Sequence, residues 1–155
     1  MTDSAGSAGD STSGSTDDGA GGLTLIEPKG SELTEPFWAA TRERRLLLQW
    51  CLDCDRVVFY PREACPGCLG TELEWRPAAG TGTVYAVSVQ HRGGPGRDEA
   101  DGPYAVALVD LPEGARLMTN VVGVAPESVV VGQPVRVHWH PLADGRHLPF
   151  FTPDP

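Results

Sequence analysis

Four cysteines are the residues best equipped for chemistry: Cys51, Cys54, Cys65 and Cys68, arranged as CLDC and CPGC with ten residues between the pairs. A Cys-x-x-Cys turn presents two sulfurs from one bend of backbone, and two such turns facing each other close a four-sulfur shell. Soft thiolates in a tetrahedron suit zinc, and a shell with every position taken leaves none for a reactive water. The spacing therefore predicts a structural Zn2+ in a zinc ribbon. Two other readings share these residues. A rubredoxin-type iron centre uses the same ligands. Free thiols or a redox CxxC pair are disfavoured, because two pairs are present and no thioredoxin-like βαβ pattern surrounds either.

His138 and His140 fall on one side of an alternating strand and form the next candidate, an acid–base or metal pair. No Asp or Glu alternates with them, and solvated histidines on a strand face are common, so no catalytic role is assigned. Arg92 and Arg97 lie in the Gly-rich stretch 92–103, where they are candidates for holding a phosphate. That stretch lacks the GxxxxGK[ST] pattern and no helix follows it, but loops of its length are often functional. No Ser-His-Asp arrangement with a nucleophile elbow and no carboxylate pair stands out. The catalytic set is empty.

These groups need elements to position them. Residues 1–22 contain only Gly, Ser, Asp, Thr, Ala and the initiator Met, too little apolar surface to offset the entropy of ordering, and read as a disordered tail. A leader and helix are expected over 23–45. Ser31 and Thr34 are N-cap candidates, Glu35 and Pro36 open the helix, and arginines close it at Arg45. Phe37 and Trp38 give that helix an aromatic edge which, with Trp50, could pack inward or anchor a partner. The ribbon spans 46–78, with strands at Leu46–Trp50, Val57–Tyr60 and Glu72–Arg76. From 79 to 155 the chain is strand-rich: Thr83–His91, Tyr104–Leu111, Ala115–Val122, Val135–His140 and Leu148–Thr152. A turn at Pro112-Glu113-Gly114 joins the second and third as a hairpin. A connector over Ala125–Val131 has room for one helical turn. The fold class expected is mainly β: a helix and zinc ribbon, then a five-stranded OB-type barrel.

Charge narrows the function. Among 155 residues there are 12 basic and 21 acidic, and the four Asp of the tail account for less than half of the net −9. An acidic body is a poor match for a phosphate backbone, although a zinc ribbon beside an OB-fold is also a design of single-stranded nucleic-acid binders. Eleven of the twelve basic residues are arginine, which suits a few directed contacts. No apolar run approaches a membrane span and no export signal opens the chain, so a cytoplasmic protein is expected.

The run from FWAATRERR through CLDC, YPR, CPGC and LEW to GTGTVYAV, followed by PYAVALVDLPEGARLMTNVVGV and VGQPVRVHW, resembles the DUF35 family from about Phe37 to Phe151. It departs at Asp55 and Leu69, which stand where that family usually has glycine after each cysteine pair. The resemblance implies a rubredoxin-like ribbon and OB-fold in an acyl-CoA-binding accessory subunit. Its partner would be a thiolase-like protein, a thiolase or a retro-aldol lyase of the kind found in steroid side-chain breakdown, or alternatively a MaoC-type hydratase. The partner would carry the chemistry in a hetero-oligomer built on a thiolase dimer. Phe37, Trp38 and Trp50 would then be partner contacts, and Arg92 and Arg97 CoA contacts.

Overall fold

The computed structural model describes residues 27–92 and 102–155. The tail, the apolar run Leu23–Ile26 and most of the Gly-rich loop, Arg97 included, lie outside the described residues. A 3-10 turn, Glu32–Thr34, runs directly into α1, Glu35–Arg42. Pro36 stands in the first turn, where its missing N–H is not needed, with Glu35 beside it and Arg42 in the last turn. Thr34 does not cap α1 with its side chain. Its Oγ1 instead turns back and accepts the Ser31 N–H at 2.9 Å. The helix stops three residues before Arg45 because Arg44 takes a left-handed conformation (φ 56°). The N–H groups of Arg44 and Arg45 then donate to the carbonyls of Thr41 and Ala40, both at 3.0 Å, which is a Schellman closure.

Three strands follow: β1 (Leu47–Cys51), β2 (Arg56–Val58) and β3 (Leu73–Pro77), in the order β2-β1-β3, all antiparallel. The second module contains β4 (Thr81–Gln90), β5 (Tyr104–Asp110), β6 (Arg116–Val121), β7 (Pro134–Pro141) and β8 (His147–Pro153). They close as β4-β5-β6-β8-β7, with only the β6–β8 pair parallel, at Val121 and Phe151. The expected helical turn in the connector is a 3-10 turn at Pro126–Ser128. One expectation fails inside β4. Strict alternation along Thr83–His91 would put Val84 on the face of Ala86 and opposite Val87, but a bulge between Val84 and Ala86 shifts the register. Val84 and Val87 both reach the core and Tyr85 is left exposed, since one extra residue inverts the faces beyond it.

The larger of two buried clusters joins the modules, the smaller lying around Cys51, Val58 and Cys65. Leu46 and Leu48 from the ribbon pack with Val84, Val109, Leu117, Val135 and Phe151 from the barrel. Glu113, in the β5–β6 turn, accepts the Ala79 N–H of the linker at 2.6 Å, tying that turn to the chain leaving the ribbon. No helix among the described residues is long and apolar enough to cross a membrane.

The helix is fixed to the barrel by Thr41, which is fully buried. Its Oγ1 donates to the Trp38 carbonyl at 2.8 Å and accepts the His147 N–H at 3.4 Å, while its own carbonyl lies 2.9 Å from His147 Nδ1. A carbonyl only accepts, so Nδ1 carries the proton. Thr41→Val keeps the volume and removes both hydroxyl bonds. It is expected to lower unfolding free energy by about 1–3 kcal/mol, read as a lower urea midpoint at unchanged slope.

Candidate metal centre

The sulfurs of the two cysteine pairs converge. Cys51 Sγ lies 3.5 Å from Cys68 Sγ and Cys54 Sγ lies 3.6 Å from Cys65 Sγ. All four fall within 4.8 Å of one another, and they are the group of three or more His, Cys, Asp or Glu that meets in this way among the described residues. Tetrahedral zinc with Zn–S bonds of ~2.3 Å sets its ligands ~3.8 Å apart, so the donor set fits the ion. Backbone amides complete the cage: the Gly67 N–H points at Cys65 Sγ and the Gly70 N–H at Cys68 Sγ, both at 3.4 Å. The backbone N–H groups of Cys68 and Gly67 pull the Cys65 thiol down to about 6. Desolvation, with the crowding thiols of Cys68, Cys65 and Cys51, pushes Cys54 up to about 12. A divalent cation reverses that penalty, because each thiol becomes a thiolate ligand on binding.

The turns that aim these sulfurs need a left-handed residue after each pair. Asp55 (φ 50°) and Leu69 (φ 64°) supply it, so the conformation that glycine makes freely is kept by side chains that resist it. Asp is the more tolerant of the two, and Asp55 also accepts from Arg76 Nη1 at 3.3 Å. Leu69 gains no such contact and is 77% exposed. The space one step later is tight unless the exposed Asp53 side chain turns aside. A Cβ on Gly70 would lie 1.9 Å from Asp53 Oδ2.

The other sequence candidates are dispersed. Exposed His138 and half-buried His140 share a face of β7, as alternation predicted. The His140 ring stacks on Phe150 with centroids 5.0 Å apart, and burial, then the nearby His138 and His147, hold its pKa down. Arg92 is exposed, two residues beyond the end of β4. Trp50 is half-buried under the Arg76 guanidinium, 4.9 Å from its ring. Phe37 packs against the core and meets Trp38 edge-to-face at 5.0 Å, while Arg146 covers Trp38 at 4.8 Å.

A cavity of about 230 Å³ was not legible in the sequence. It lies between α1, the ribbon and the barrel, walled by Phe37, Trp38, Phe59, Trp75, Leu117 and Pro149. Residues so far apart in the chain carry no local pattern that would join them.

Elemental analysis of native material is expected to find one zinc per chain. Because structural zinc binding is worth about 10–16 kcal/mol, chelation or Cys65→Ser should unfold the ribbon, seen as loss of the Trp50 and Trp75 signals. Leu69→Gly should do the opposite, raising stability by about 1 kcal/mol through relief of the left-handed leucine, with zinc content unchanged on the same assay.

The family models for the ChsH2 rubredoxin-like zinc ribbon domain and the ChsH2 C-terminal OB-fold domain match residues 38–74 and 75–140. A "DUF35 domain-containing scaffold protein" of Methanocaldococcus jannaschii is 39% identical over 63% of this chain and 70% of its own length. A "probable enoyl-CoA hydratase alpha subunit" of Thermomonospora curvata is 41% identical over 76% of this chain, which spans 36% of that relative's length. Among solved structures, a chain of the Ltp2-ChsH2(DUF35) aldolase superposes with a TM-score of 0.72 at 37% identity, covering 82% of this chain and 98% of that one. Ribbon, barrel and sulfur cluster agree with these matches, and the chain belongs to the DUF35 family.

Proposed function

We propose that this chain is a non-catalytic, acyl-CoA-binding accessory subunit that docks on and supports a thiolase-fold enzyme, a thiolase or retro-aldol lyase. The likeness to the aldolase chain over 82% of this one, at 37% identity, carries the reading. A benzoylsuccinyl-CoA thiolase subunit of Thauera aromatica, 33% identical over half of this chain, supports it. So does a cysteine quartet whose four donors would fill the shell of one tetrahedral ion and leave it no reactive position. In this reading the reacting groups belong to the partner. The ribbon and α1 provide a stiff docking face with Phe37, Trp38 and Trp50 as anchors. Arg92 and Arg97 lie beside the nucleotide end of CoA, as guanidinium groups suited to phosphate. The assembly is a cytoplasmic hetero-oligomer built on a thiolase dimer.

A steroid-derived acyl group is the favoured cargo. A 3-oxo-4,17-pregnadiene-20-carboxyl-CoA hydratase alpha subunit of Mycobacterium tuberculosis is 29% identical over 77% of this chain, which spans 38% of that relative. The two hydratase relatives favour a second reading, in which the partner is a MaoC-type hydratase. Nucleic-acid binding is the weakest reading, given the net charge of −9.

Affinity purification of the full chain from its native host, with mass spectrometry of what elutes, separates these readings. A thiolase-like chain is expected, and acyl-CoA turnover is expected only when both proteins are present. Recovery of a hydratase chain in its place selects the second reading. Turnover of an acyl-CoA by the purified chain alone overturns both.

A further inference from the structure

The two sheets end differently. The barrel closes on itself as β4-β5-β6-β8-β7, whereas the ribbon stops at β2 on one side and at β3 on the other. The Leu52 N–H donates to the Glu72 carbonyl at 2.9 Å and the Ala78 N–H to the Leu46 carbonyl at 2.8 Å. Bonded and non-bonded pairs alternate along an antiparallel ladder, so these two bonds fix the parity of every residue between them. Glu74 and Arg76 exchange bonds with their β1 partners Trp50 and Leu48. Leu73, Trp75 and Pro77 therefore turn their backbone polar groups away from β1. No described residue pairs with that outer edge. It offers the N–H groups of Leu73 and Trp75 and the carbonyls of all three residues.

A row of unpaired backbone donors and acceptors is matched by the backbone of another extended strand. Side chains decide which strand. Glu74 and Arg76 share one face of β3, joined through Glu74 Oε1 and Arg76 Nε, with side chains 44% and 39% exposed. Trp75, between them, is half-buried and lies on the other face. An antiparallel newcomer must set a basic residue against Glu74 and an acidic one against Arg76, with an apolar residue between the two. β3 read backwards is Arg76-Trp75-Glu74. The edge is its own complement.

We propose that β3 is a docking edge for a second copy of this chain, the two strands pairing antiparallel about a two-fold axis at Trp75. Such a contact is isologous, so each bond is made twice. The Trp75 N–H of each copy donates to the Trp75 carbonyl of the other, and each Leu73 N–H donates to the Pro77 carbonyl opposite. Every outward N–H thus finds an acceptor, and the N–H that Pro77 lacks leaves only the Leu73 carbonyl to water. Glu74 of each copy faces Arg76 of the other, which closes a ring of alternating charge. Registers centred on Glu74 or on Arg76 would oppose like charges, which is destabilising. Charges on an edge strand ordinarily block pairing. Here the signs alternate, so they block the wrong registers and admit the reversed copy. The strand has five residues, far less than a standard interface, so the association is weak.

The test uses the zinc-loaded full chain. Sedimentation velocity at protein concentrations up to about 1 mM, the range of weak association, is expected to show a monomer–dimer equilibrium. Amide hydrogen exchange by NMR locates the contact. The Leu73 and Trp75 N–H groups should gain protection as the dimer fills, while Glu74 and Arg76, bonded to β1, are protected at every concentration. Glu74→Arg makes both charged positions basic and Arg76→Glu makes both acidic. Each variant alone is expected to dimerise about tenfold more weakly or worse, with zinc content retained. An equimolar mixture of the two should restore dimerisation, because each then faces its opposite, and misfolded chains could not do this. A wild type that stays monomeric throughout overturns the interface. So does a dimer whose Leu73 and Trp75 amides gain no protection, or a mixture that associates no better than either variant alone. No thiolase-fold or hydratase chain takes part, so these outcomes stand apart from the accessory-subunit reading.

Discussion

Four thiolates cannot share a volume in which every sulfur lies within 4.8 Å of the others unless a cation sits among them. Without it the cluster must hold protons, held unevenly, because backbone N–H groups draw the Cys65 thiol down while desolvation and the neighbouring thiols push Cys54 up. With it, mutual repulsion becomes shared attraction to one centre. The three-stranded ribbon has strands of only three to five residues, too little sheet to stand alone. The ion is what makes it a rigid body.

That rigidity passes on through apolar contact. Leu46, just before β1, and Leu48, in the strand that Cys51 ends, belong to the core with Val109 and Phe151 of the barrel. On the other side α1 is held to β8 through Thr41 and His147. The cavity exists because three stiff elements meet at angles that their side chains do not fill, so its shape is set by the metal at one remove.

Much of this was legible in the sequence. The cysteine spacing yielded the ligand set, and apolar runs, turn residues and, at Val135–His140, a period of two placed the strands to within a few residues. The departures have local causes. The helix ended early because Arg44 took a left-handed turn that an arginine does not advertise. The bulge in β4 moved Val87 inward, and no glycine marked it. Asp55 and Leu69 kept the knuckle turns without glycine, since metal coordination outweighs the backbone cost at two residues. Gln49 and the cavity left no trace in the pattern, because a buried amide in a strand looks like any polar residue until the tertiary neighbours are known.

The continuous core across ribbon and barrel has a consequence for dissection. A barrel expressed without residues 46–78 would lose the two leucine plugs that close its hydrophobic interior and present an open greasy mouth to solvent. Such a fragment would be prone to self-association, and any stickiness it displayed would report the amputation and not a native surface.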